Sequence, residues 1–279
     1  MLSQLPKLAP PRPFLKWAGG KSKLIQQYKR YLPNIHDYKT YHEPFLGGGA
    51  LFFYLLPTKA VLTDINSELI TTYVCVRDKL EELLDKLKLH EFYHNRDYYY
   101  KVRGNPGSTD VEKAARLIYL NRTCFNGLYR VNSKGEFNVP LGKYDNPKIC
   151  QLEILVAASE ALQSSMIEEL DFSHVLKQAK SSDDFVFFDP PYHPISQTSY
   201  FTAYSKLSFN EFDQIRLRDI SSQLALRGVK VMVCNSDSEF IRSIYKEIDF
   251  KIHLVKATRV INSNIKNRGS IGELVITSY

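Results

Sequence analysis

The sequence has few cysteines and no long apolar run. Its four cysteines, Cys75, Cys124, Cys150 and Cys234, lie far apart in the 279 residues, and none belongs to a Cys-x-x-Cys pair. This spacing argues against a disulfide framework and against a thiolate zinc site. The longest uninterrupted apolar run, Ala50 to Leu56, is far shorter than the roughly 20 residues that a transmembrane helix needs. The sequence therefore predicts neither a disulfide-bonded secreted domain nor a membrane protein.

An export signal is also lacking. The first residues, MLSQLPKLAPPRPF, carry prolines where a secretory signal has a continuous apolar stretch. We therefore expect a cytoplasmic protein. With 44% hydrophobic and 24% charged residues, the composition is that of a globular protein with one large domain or two ordinary ones.

Acidic residues are scarce in two stretches of the chain. From Lys101 to Cys150, nine basic residues stand against four acids, and from Lys251 to Ser270 there are five basic residues and no acid. The first stretch also carries tyrosine and phenylalanine rings, which suits a surface that follows phosphates and offers rings to bases. A solvated basic face with tyrosines packed beneath it has the same composition, so charge alone leaves both interpretations open.

No internal repeat is visible, and helices alternate with strands towards both ends of the chain. The pattern predicts a helix near residues 21–31, a strand near 41–45, a helix that opens at GGGALFFYLL and a strand AVLTD. Residues 67–100 have a helical period, and residues 103–149 predict turns around short strands. The segments DDFVFFD, GVKVMVCN, FKIHLVKA and ELVITSY predict strands, with helices between the first three. We therefore predict one doubly wound sheet that an inserted segment interrupts.

The segment EPFLGGG, residues 43–49, places glycines directly between a predicted strand and a predicted helix. Glycine there permits a tight turn and the close approach of a ligand. Asp64 follows at the end of the next strand, where a carboxylate can accept hydrogen bonds from both hydroxyls of an adenosine ribose. The pattern is not Gly-x-Gly-x-x-Gly, and a simple glycine turn with a helix-capping aspartate would give the same letters.

The segment FVFFDPPY, residues 185–192, is an apolar strand that runs directly into an acid, two prolines and a ring. In an open α/β sheet, ligands lie beyond the carboxyl ends of the strands, where Asp189 is placed. Pro191 fixes its own φ and biases Pro190 toward an extended conformation, so the carboxylate and the carbonyls become convergent acceptors. Such acceptors beside Tyr192 match a planar amine whose base stacks on the ring. The alternative is a strand that ends in a proline turn with a surface tyrosine.

The segment HEFYH, residues 90–94, fits the His-Glu-x-x-His pattern of zinc peptidases, with two zinc ligands and a general base. The sequence places no third ligand, and the motif lies outside the predicted sheet. Three fixed positions arise by chance in a charged helix, so we predict no metal site.

Together, these motifs resemble those of the Dam-type, α-ordered family of DNA adenine-N6 methyltransferases, in particular its GATC-methylating members. The similarity covers nearly the whole chain and includes, in order, FLKWAGGK, EPFLGGGALFF, LTDIN, FNGLYRVNSKGEFNVPLGKY, Asp171-Phe172 and DPPY. The resemblance implies an α/β fold with a Rossmann-like, S-adenosylmethionine-dependent methyltransferase sheet and an inserted helical plus β-hairpin DNA-recognition domain. The expected boundaries are 1–70 and 161–279 for the two parts of the catalytic domain and 71–160 for the target-recognition insertion.

The resemblance also implies an activity. A methyl group would pass from S-adenosylmethionine to N6 of adenine in double-stranded DNA, within GATC, after base flipping. The expected partner is double-stranded DNA, with no membrane and no metal; a cognate restriction endonuclease would be a functional partner without direct binding. The implied catalytic residues are Asp189, Pro190 and Tyr192. The implied cofactor-binding residues are Trp17, Gly19, Gly20, Lys21, Pro44, Phe45, Gly47, Gly49, Asp64, Asp171 and Phe172.

The implied DNA-binding residues are Lys16, Phe125, Asn126, Leu128, Arg130, Pro140 and Tyr144. Among them, Arg130 resembles an arginine that reads a guanine, whereas Leu128 and Pro140 resemble apolar contacts to thymine. Phe125 and Asn126 resemble the group that enters the base stack and holds the orphaned base. The family often has tyrosine at position 125, so a hydroxyl has no role here and stacking remains.

Three other functions remain open at the level of sequence. A methyltransferase for cytosine N4 or protein glutamine usually has Ser or Asn in place of Asp189, and a glutamine enzyme does not need the hairpin of residues 125–144. A non-catalytic DNA-binding module explains the basic stretches but leaves EPFLGGG and DPPY without a role. A zinc peptidase rests on HEFYH alone.

Overall fold

The computed structural model describes residues 10–17, 21, 24–195, 209–258 and 270–279. Its α-helices in chain order are α1 (Ile25–Tyr28), α2 (Ala50–Leu55), α3 (Ser67–Asp78), α4 (Leu80–Phe92), α5 (Arg96–Gly104), α6 (Asp110–Thr123), α7 (Leu152–Leu162), α8 (Val175–Gln178), α9 (Glu211–Leu226) and α10 (Glu239–Lys246). Short 3-10 helices cover Lys29–Tyr31, Ile35–Asp37, Phe125–Gly127 and Phe172–His174. Within these described ranges, no helix combines the length and the apolar character needed to cross a bilayer.

Seven strands form one mixed sheet in the order β3-β2-β1-β4-β5-β7-β6. They are β1 (Thr40–Glu43), β2 (Ala60–Asp64), β3 (Ser165–Glu169), β4 (Asp184–Phe188), β5 (Lys230–Ser236), β6 (Lys251–Thr258) and β7 (Ser270–Thr277). Strands β2, β1, β4 and β5 pair in parallel, as the doubly wound pattern predicts. The α/β prediction is therefore confirmed.

Strand β7 departs from a purely parallel arrangement, because it pairs antiparallel with both β5 and β6. In the β5–β7 register, Ser236 lies opposite Glu273, and Val233 lies opposite Ile276. The sequence places no helical pattern between FKIHLVKA and ELVITSY, and parallel neighbours require a crossover that is usually helical. The sequence pattern therefore favours an antiparallel return of the last strand.

Strand β4 is buried along its whole length, from Asp184 to Phe188. A parallel strand covered on both faces shows a continuous apolar run instead of an alternating one. This is why FVFF could be recognised as an interior strand from the sequence. The same burial pattern holds for β5 from Val231 to Ser236.

One compact unit consists of residues 23–45, 57–63 and 170–279. Its core forms where α9 and α10 pack on the central strands. Each fully buried large apolar side chain contributes about 1.5–3 kcal/mol relative to an exposed one. The core includes Val186, Phe188, Leu217, Leu224, Val231, Val233, Ile241, Tyr245, Leu274 and Ile276.

The other compact unit consists of residues 1–22, 46–56 and 64–169. Helix α6 is buried along most of its length and packs against α3, α4 and α5. It begins with a capping box: the Glu112 N–H donates to Thr109 Oγ1 at 3.2 Å, and the Thr109 N–H donates to Glu112 Oε2 at 3.3 Å. These bonds satisfy backbone donors that the first turn leaves unpaired.

Helix α6 corrects the prediction that residues 103–149 are turns around short strands. Among the described residues, extended pairing in that range is limited to the isolated bridges Cys124↔Leu141 and Val131↔Phe137. The Thr-x-x-Glu box before an apolar period was a usable signal for this helix. Helix α7 and strand β3 were also not predicted, whereas the helical period of residues 67–100 is confirmed by α3, α4 and α5. The division into a two-part catalytic domain and an insertion stays a prediction.

Candidate functional site

Three parallel strands end beside the motifs that the sequence singled out. Strand β1 ends at Glu43, immediately before Pro44. Strand β2 ends at Asp64, and β4 ends at Phe188, immediately before Asp189. Because β2, β1 and β4 run in parallel, their carboxyl ends lie along one edge of the sheet. That edge is where open α/β sheets bind their ligands.

The glycine loop enters the left-handed region at two positions. Gly47 has φ +48° and Gly49 has φ +62°, a conformation that other residues rarely adopt. A Cβ on Gly47 would lie 2.9 Å from Trp17 Cδ1, so the loop backbone passes directly against the indole ring. A Cβ on Gly49 would lie 2.9 Å from the Tyr73 hydroxyl. Conformation and space therefore both require glycine at these two positions.

The Asp64 carboxylate is bonded to this loop. Asp64 Oδ2 accepts from the Gly47 N–H and Oδ1 accepts from the Asn66 N–H, both at 3.0 Å. Burial raises the pKa of the Asp64 carboxyl above its usual value, and the N–H groups of Gly47 and Asn66 lower it in part. Each carboxylate oxygen has two lone pairs and can accept a second donor. The cap of α3 is Asn66, whose side chain accepts from the Leu69 N–H at 3.0 Å, so Asp64 is not the capping residue.

Trp17 is held in place by a ring from the FNGLYRVN segment. It stacks on Tyr129 with 5.1 Å between ring centroids and 25° between ring planes. The Tyr129 hydroxyl donates to Glu68 Oε2 at 2.9 Å, and Arg116 donates to Glu68 Oε1 at 2.8 Å. Burial raises the pKa of the Tyr129 hydroxyl, which keeps it a donor. The Trp17 indole is thus held by Tyr129, which is bonded to Glu68, and Glu68 is in turn bonded to the buried Arg116.

Asp171 and Phe172 form a second ordered group. Asp171 Oδ1 accepts from the Ser173 N–H at 3.0 Å and from the Ser173 hydroxyl at 2.5 Å, and Arg216 also donates to it. Burial acts to raise the pKa of Asp171, but the bonds from Ser173 and Arg216 hold it below its usual value. The Arg216 guanidinium lies 4.5 Å from the centroid of the Phe172 ring, which stacks on Phe45 at 5.2 Å and 25°. Asp171 is therefore ionised and Phe172 is fixed in orientation.

The turn after β4 is tied to neighbouring elements through its backbone. Gln214 Nε2 donates to the Pro191 carbonyl at 3.0 Å. Asn235 Nδ2 donates to Gln214 Oε1 at 2.9 Å, and Asn235 Oδ1 accepts from the His193 N–H at 3.0 Å. Gln214 and Asn235 are fully buried, so this small network is shielded from water. The turn that follows the half-buried Asp189 is thereby held in one shape.

Tyr192 is half-buried, and its hydroxyl donates to Glu273 Oε1 at 2.6 Å. The same oxygen accepts from the hydroxyl of Tyr28. Burial, followed by the charge of Asp189, raises the pKa of the Tyr192 hydroxyl well above its usual value. The hydroxyl therefore stays protonated and donates. The alternative in which Tyr192 is a freely solvated surface ring does not hold.

The expected DNA-binding residues begin with Lys16, whose backbone is bound by a buried amide. The Lys16 N–H donates to Asn121 Oδ1 at 2.8 Å, and Asn121 Nδ2 donates to the carbonyls of Lys16 at 2.7 Å and Gly127 at 3.0 Å. Lys16 Nζ lies 4.6 Å from the centroid of the Tyr144 ring. A Cβ on Gly127, where φ is +63°, would lie 2.6 Å from Lys16 Cδ. Asn121 therefore brings Lys16 to the turn of residues 125–127.

That turn and the following hairpin expose the other expected DNA contacts. Phe125 is 49% exposed, and Asn126 is exposed with φ +55°. The Phe125 N–H donates to the Pro140 carbonyl at 2.9 Å. Arg130 is exposed, and its Nε donates to Asn138 Oδ1 at 2.7 Å. Phe125, Asn126 and Pro140 are thus brought together, with the Arg130 guanidinium on the same hairpin.

Some predicted residues lie outside the described part of the chain. These are Gly19 and Gly20 of the cofactor set and most of the basic stretch Lys251 to Ser270. Lys21 is described and is buried.

Comparison with known proteins decides the family. A family model described as D12 class N6 adenine-specific DNA methyltransferase matches residues 17–261. The chain belongs to this family. The methyltransferase is 45% identical to a type II methyltransferase of Lactococcus lactis subsp. cremoris, over 96% of its own length and 95% of that protein. It is 41% identical to a type II methyltransferase of Methanocaldococcus jannaschii, with 96% and 99% coverage, and 35% identical to a DNA adenine methylase of Escherichia coli (strain K12), with 95% and 94% coverage.

The family assignment confirms the Dam-type resemblance. The protein is an enzyme, an adenine-specific DNA methyltransferase, and it acts on DNA with a methyl donor. The alternatives that act on cytosine N4 or on protein glutamine are therefore wrong, as is the non-catalytic DNA-binding module.

The HEFYH segment has structural partners in the methyltransferase. His90 Nδ1 lies 2.8 Å from the Tyr98 hydroxyl, and His94 Nδ1 lies 2.9 Å from the Tyr119 hydroxyl. Glu91 Oε1 accepts from the Ile149 N–H at 3.1 Å. Burial lowers the pKa of His90 to about 4, so it is neutral at physiological pH. These tyrosine and backbone bonds account for the motif without peptidase chemistry.

Several residues that hold the motifs in place were missed by sequence reasoning. They are separated from the motif residues by long stretches of chain, up to 105 residues for the pair Lys16 and Asn121. Asn235 and Glu273 lie in largely apolar strands, where a polar residue is a signal, but the sequence does not name its partner. The missed residues include Glu68, Asn121, Gln214, Arg216, Asn235 and Glu273.

Proposed function

We propose that the methyltransferase transfers the methyl group of S-adenosylmethionine to N6 of the adenine in GATC sites of double-stranded DNA, and that it flips this adenine out of the helix. One observation carries the proposal. Asp189, Pro190 and Tyr192 follow a buried strand at the carboxyl edge of the sheet, on a turn whose backbone is fixed by hydrogen bonds.

Asp189 and Pro190 act on the nucleophile in this proposal. Adenine N6 is a weak nucleophile because its lone pair is delocalised into the ring. Hydrogen bonds from the two N6 hydrogens to the Asp189 carboxylate and the Pro190 carbonyl favour a pyramidal nitrogen that can attack. Asp189 is half-buried after an apolar strand, where the effective dielectric is lower than in water and these bonds are stronger. Tyr192 stacks on the flipped base.

The residues of the glycine loop fit S-adenosylmethionine. Gly47 permits the tight turn that places the loop beside Asp64, and the second lone pairs of the Asp64 oxygens can accept the ribose hydroxyls. When bound, S-adenosylmethionine supplies an electrophilic methyl group on a sulfonium sulfur.

Asp171 and Phe172 suit the adenine of the cofactor, because an ionised acceptor lies next to a fixed ring. The resemblance adds further cofactor contacts in Trp17, Gly19, Gly20, Lys21, Pro44, Phe45 and Gly49.

The hairpin supports the GATC assignment. An arginine that forks onto guanine O6 and N7 is the commonest specific contact in the major groove, and Arg130 is exposed for such a role. Leu128 and Pro140 supply apolar surface for a thymine methyl group, and Lys16 reads a further base. Loss of the adenine from the stack leaves a gap, which the exposed Phe125 ring can fill.

The test is incubation of the purified enzyme with labelled S-adenosylmethionine and unmethylated DNA, followed by nucleoside analysis and site mapping. We expect label only in N6-methyladenine and only at GATC, and no label on DNA already methylated at every GATC. Methylation at other sequences would overturn the target assignment. Base flipping is tested with 2-aminopurine in place of the target adenine, since its fluorescence should change when the enzyme removes it from the stack.

A further inference from the structure

Glu273 lies outside every sequence motif, yet it is bonded to the proposed catalytic turn. It stands on β7, directly opposite Ser236 on β5. Residues directly opposite in an antiparallel pair point to the same face of the sheet. Ser236 Oγ donates to the His193 carbonyl at 2.6 Å, and Glu273 Oε1 accepts from the Tyr192 hydroxyl at 2.6 Å. Two opposed residues of neighbouring strands therefore hold two consecutive residues of the turn.

A second tyrosine bonds to the same carboxylate. Tyr28 on α1 is fully buried, Glu273 is 6% exposed, and the Tyr28 hydroxyl donates to the same Oε1 that Tyr192 uses. A buried carboxylate is costly unless hydrogen bonds compensate for the lost water. The two hydroxyls supply such bonds, and burial raises the pKa of both, so they remain donors. Tyr28 thus restricts the orientation of the carboxylate that receives Tyr192.

We propose that Glu273 is a positioning residue for methyl transfer, which orients the Tyr192 ring as the surface on which the target adenine stacks, while Tyr28 fixes the carboxylate. The ring is attached to the backbone at one end and to Glu273 at the other, so its long axis cannot swing away from the turn. Misplacement of a reacting group by about 1 Å can cost on the order of a hundredfold in rate. The inference rests on the proposed function, because it needs Tyr192 to receive the flipped base.

The test compares Tyr192→Phe, Glu273→Ala, Glu273→Gln and Tyr28→Phe in the full-length enzyme. Tyr192→Phe keeps the ring and removes the hydroxyl that donates to Glu273. We expect the single-turnover rate on GATC DNA to fall about tenfold in Tyr192→Phe and in Glu273→Ala, an effect of the size expected for a lost charge-assisted hydrogen bond. Glu273→Gln keeps an acceptor and should therefore keep most of the wild-type rate. The rate of Tyr28→Phe should lie between the rate of Tyr192→Phe and that of wild type.

Three further measurements distinguish a positioning role of Glu273 from a merely structural one. The cofactor dissociation constant should stay within about twofold of wild type, because none of these variants changes a proposed cofactor contact. The double variant Tyr192→Phe/Glu273→Ala should be no slower than the slower single variant, since both remove one shared bond. Bound 2-aminopurine at the target position should be brighter in both single variants, because a mobile ring quenches the flipped base less. Glu247→Gln, which removes an exposed carboxylate after α10, is the matched control and should leave the rate unchanged.

Two results would overturn the inference: a wild-type rate in Tyr192→Phe, or rate losses that multiply in the double variant. Tyr192→Phe and Glu273→Gln retain the buried volume and decide the question even if Glu273→Ala does not fold. Failure of the proposed function has a different signature, namely no N6-methyladenine at GATC from the wild-type enzyme. The wild-type assay therefore comes first and separates the two failures.

Discussion

Asp64 and Asp189 are both aspartates at the carboxyl ends of parallel strands, yet their surroundings suit them to different proposed tasks. Asp64 is bonded to two backbone N–H groups, which fix both of its oxygens beside the glycine loop. Asp189 follows β4 on a turn held by Gln214 and Asn235. The first arrangement suits binding of a ligand in its ground state. The second suits a contact that strengthens as the reacting nitrogen becomes pyramidal.

Replacement of Asp189 by Ala should abolish methyl transfer and leave DNA affinity within a few-fold of wild type. In the proposed function the carboxylate acts on N6 and not on phosphates, so DNA binding should not depend on it. Asp189→Asn should keep some activity, because the amide oxygen still accepts one N6 hydrogen. Single-turnover rates and fluorescence anisotropy with GATC DNA measure the two effects. Wild-type turnover in the Ala variant would refute the assigned role.

Asp64→Ala should raise the cofactor dissociation constant about tenfold or more, on the order of the 1.4 kcal/mol expected from lost charged hydrogen bonds. Protonation of the Asp64 carboxylate would weaken its proposed hydrogen bonds to the ribose hydroxyls, and burial raises the pKa of the Asp64 carboxyl. Cofactor affinity should therefore fall on acidification at a pH higher than that at which an ordinary aspartate titrates. Calorimetry across a pH series tests this, with Asp64→Asn as the control that lacks the pH-dependent loss. An unchanged constant in Asp64→Ala would leave Asp64 with a purely structural role.

Helix α6 and the hairpin after it act as one continuous support for the expected DNA contacts. The helix is anchored by its buried face, and Asn121 in its last turn binds Lys16 and Gly127. Residues 125–127 follow at once and expose Phe125. Rigid elements position reading groups more accurately than free loops do. The proposed recognition side chains therefore depend on a helix that itself carries none of the proposed DNA contacts.

On the hairpin, Arg130→Ala should relax discrimination at one base pair. An arginine forked onto guanine supplies about 1–3 kcal/mol, so kcat/KM on GATC should fall roughly ten- to a hundredfold. Sites altered at the base pair that Arg130 reads should then become substrates. The measurement is methylation of a panel of oligonucleotides that carry each single change in GATC.

The matched control on the same hairpin is Lys134→Ala, at an exposed position near the hairpin tip. Lys134 has no proposed contact to a base, so the loss of its charge should affect all sequences alike, without a change in discrimination. If Arg130→Ala also loses rate equally on every oligonucleotide, Arg130 is a backbone anchor and not a reader of guanine.

For the molecule as a whole, local patterns were predictable and long-range partners were not. FVFFDPPY identified strand β4 and its terminal acid, because burial on both faces leaves a continuous apolar run. The bond from Tyr192 to Glu273 joins residues 81 positions apart, and no spacing rule connects them. The antiparallel β7 depended on sheet order, which strand patterns do not encode. The family resemblance predicted the roles of the motif residues, and the structure identified the residues that hold those motif residues in place.

The distribution of charge over the whole chain predicts salt-sensitive DNA binding. The chain has a formal net charge of +7, and basic residues outnumber acidic ones in two stretches, Lys101 to Cys150 and Lys251 to Ser270. Each neutralised phosphate releases counterions, so even two such contacts imply a loss of roughly tenfold in affinity between 50 and 200 mM salt. Cofactor affinity should change much less over this range. Anisotropy titrations at several salt concentrations test the slope, and a flat slope would contradict DNA binding through these stretches.

The strand that carries Glu273 comes last in chain order among the strands of this sheet, yet it lies between β5 and β6. During translation, β5 and β6 therefore leave the ribosome before the strand that pairs with both of them. The β5 edge that β7 covers stays open until then, and an unpaired strand edge is a template for pairing with other chains. Glu273 can reach Tyr192 only when that edge closes. A nascent chain in which every sequence motif has already been translated therefore still lacks the proposed support for the Tyr192 ring.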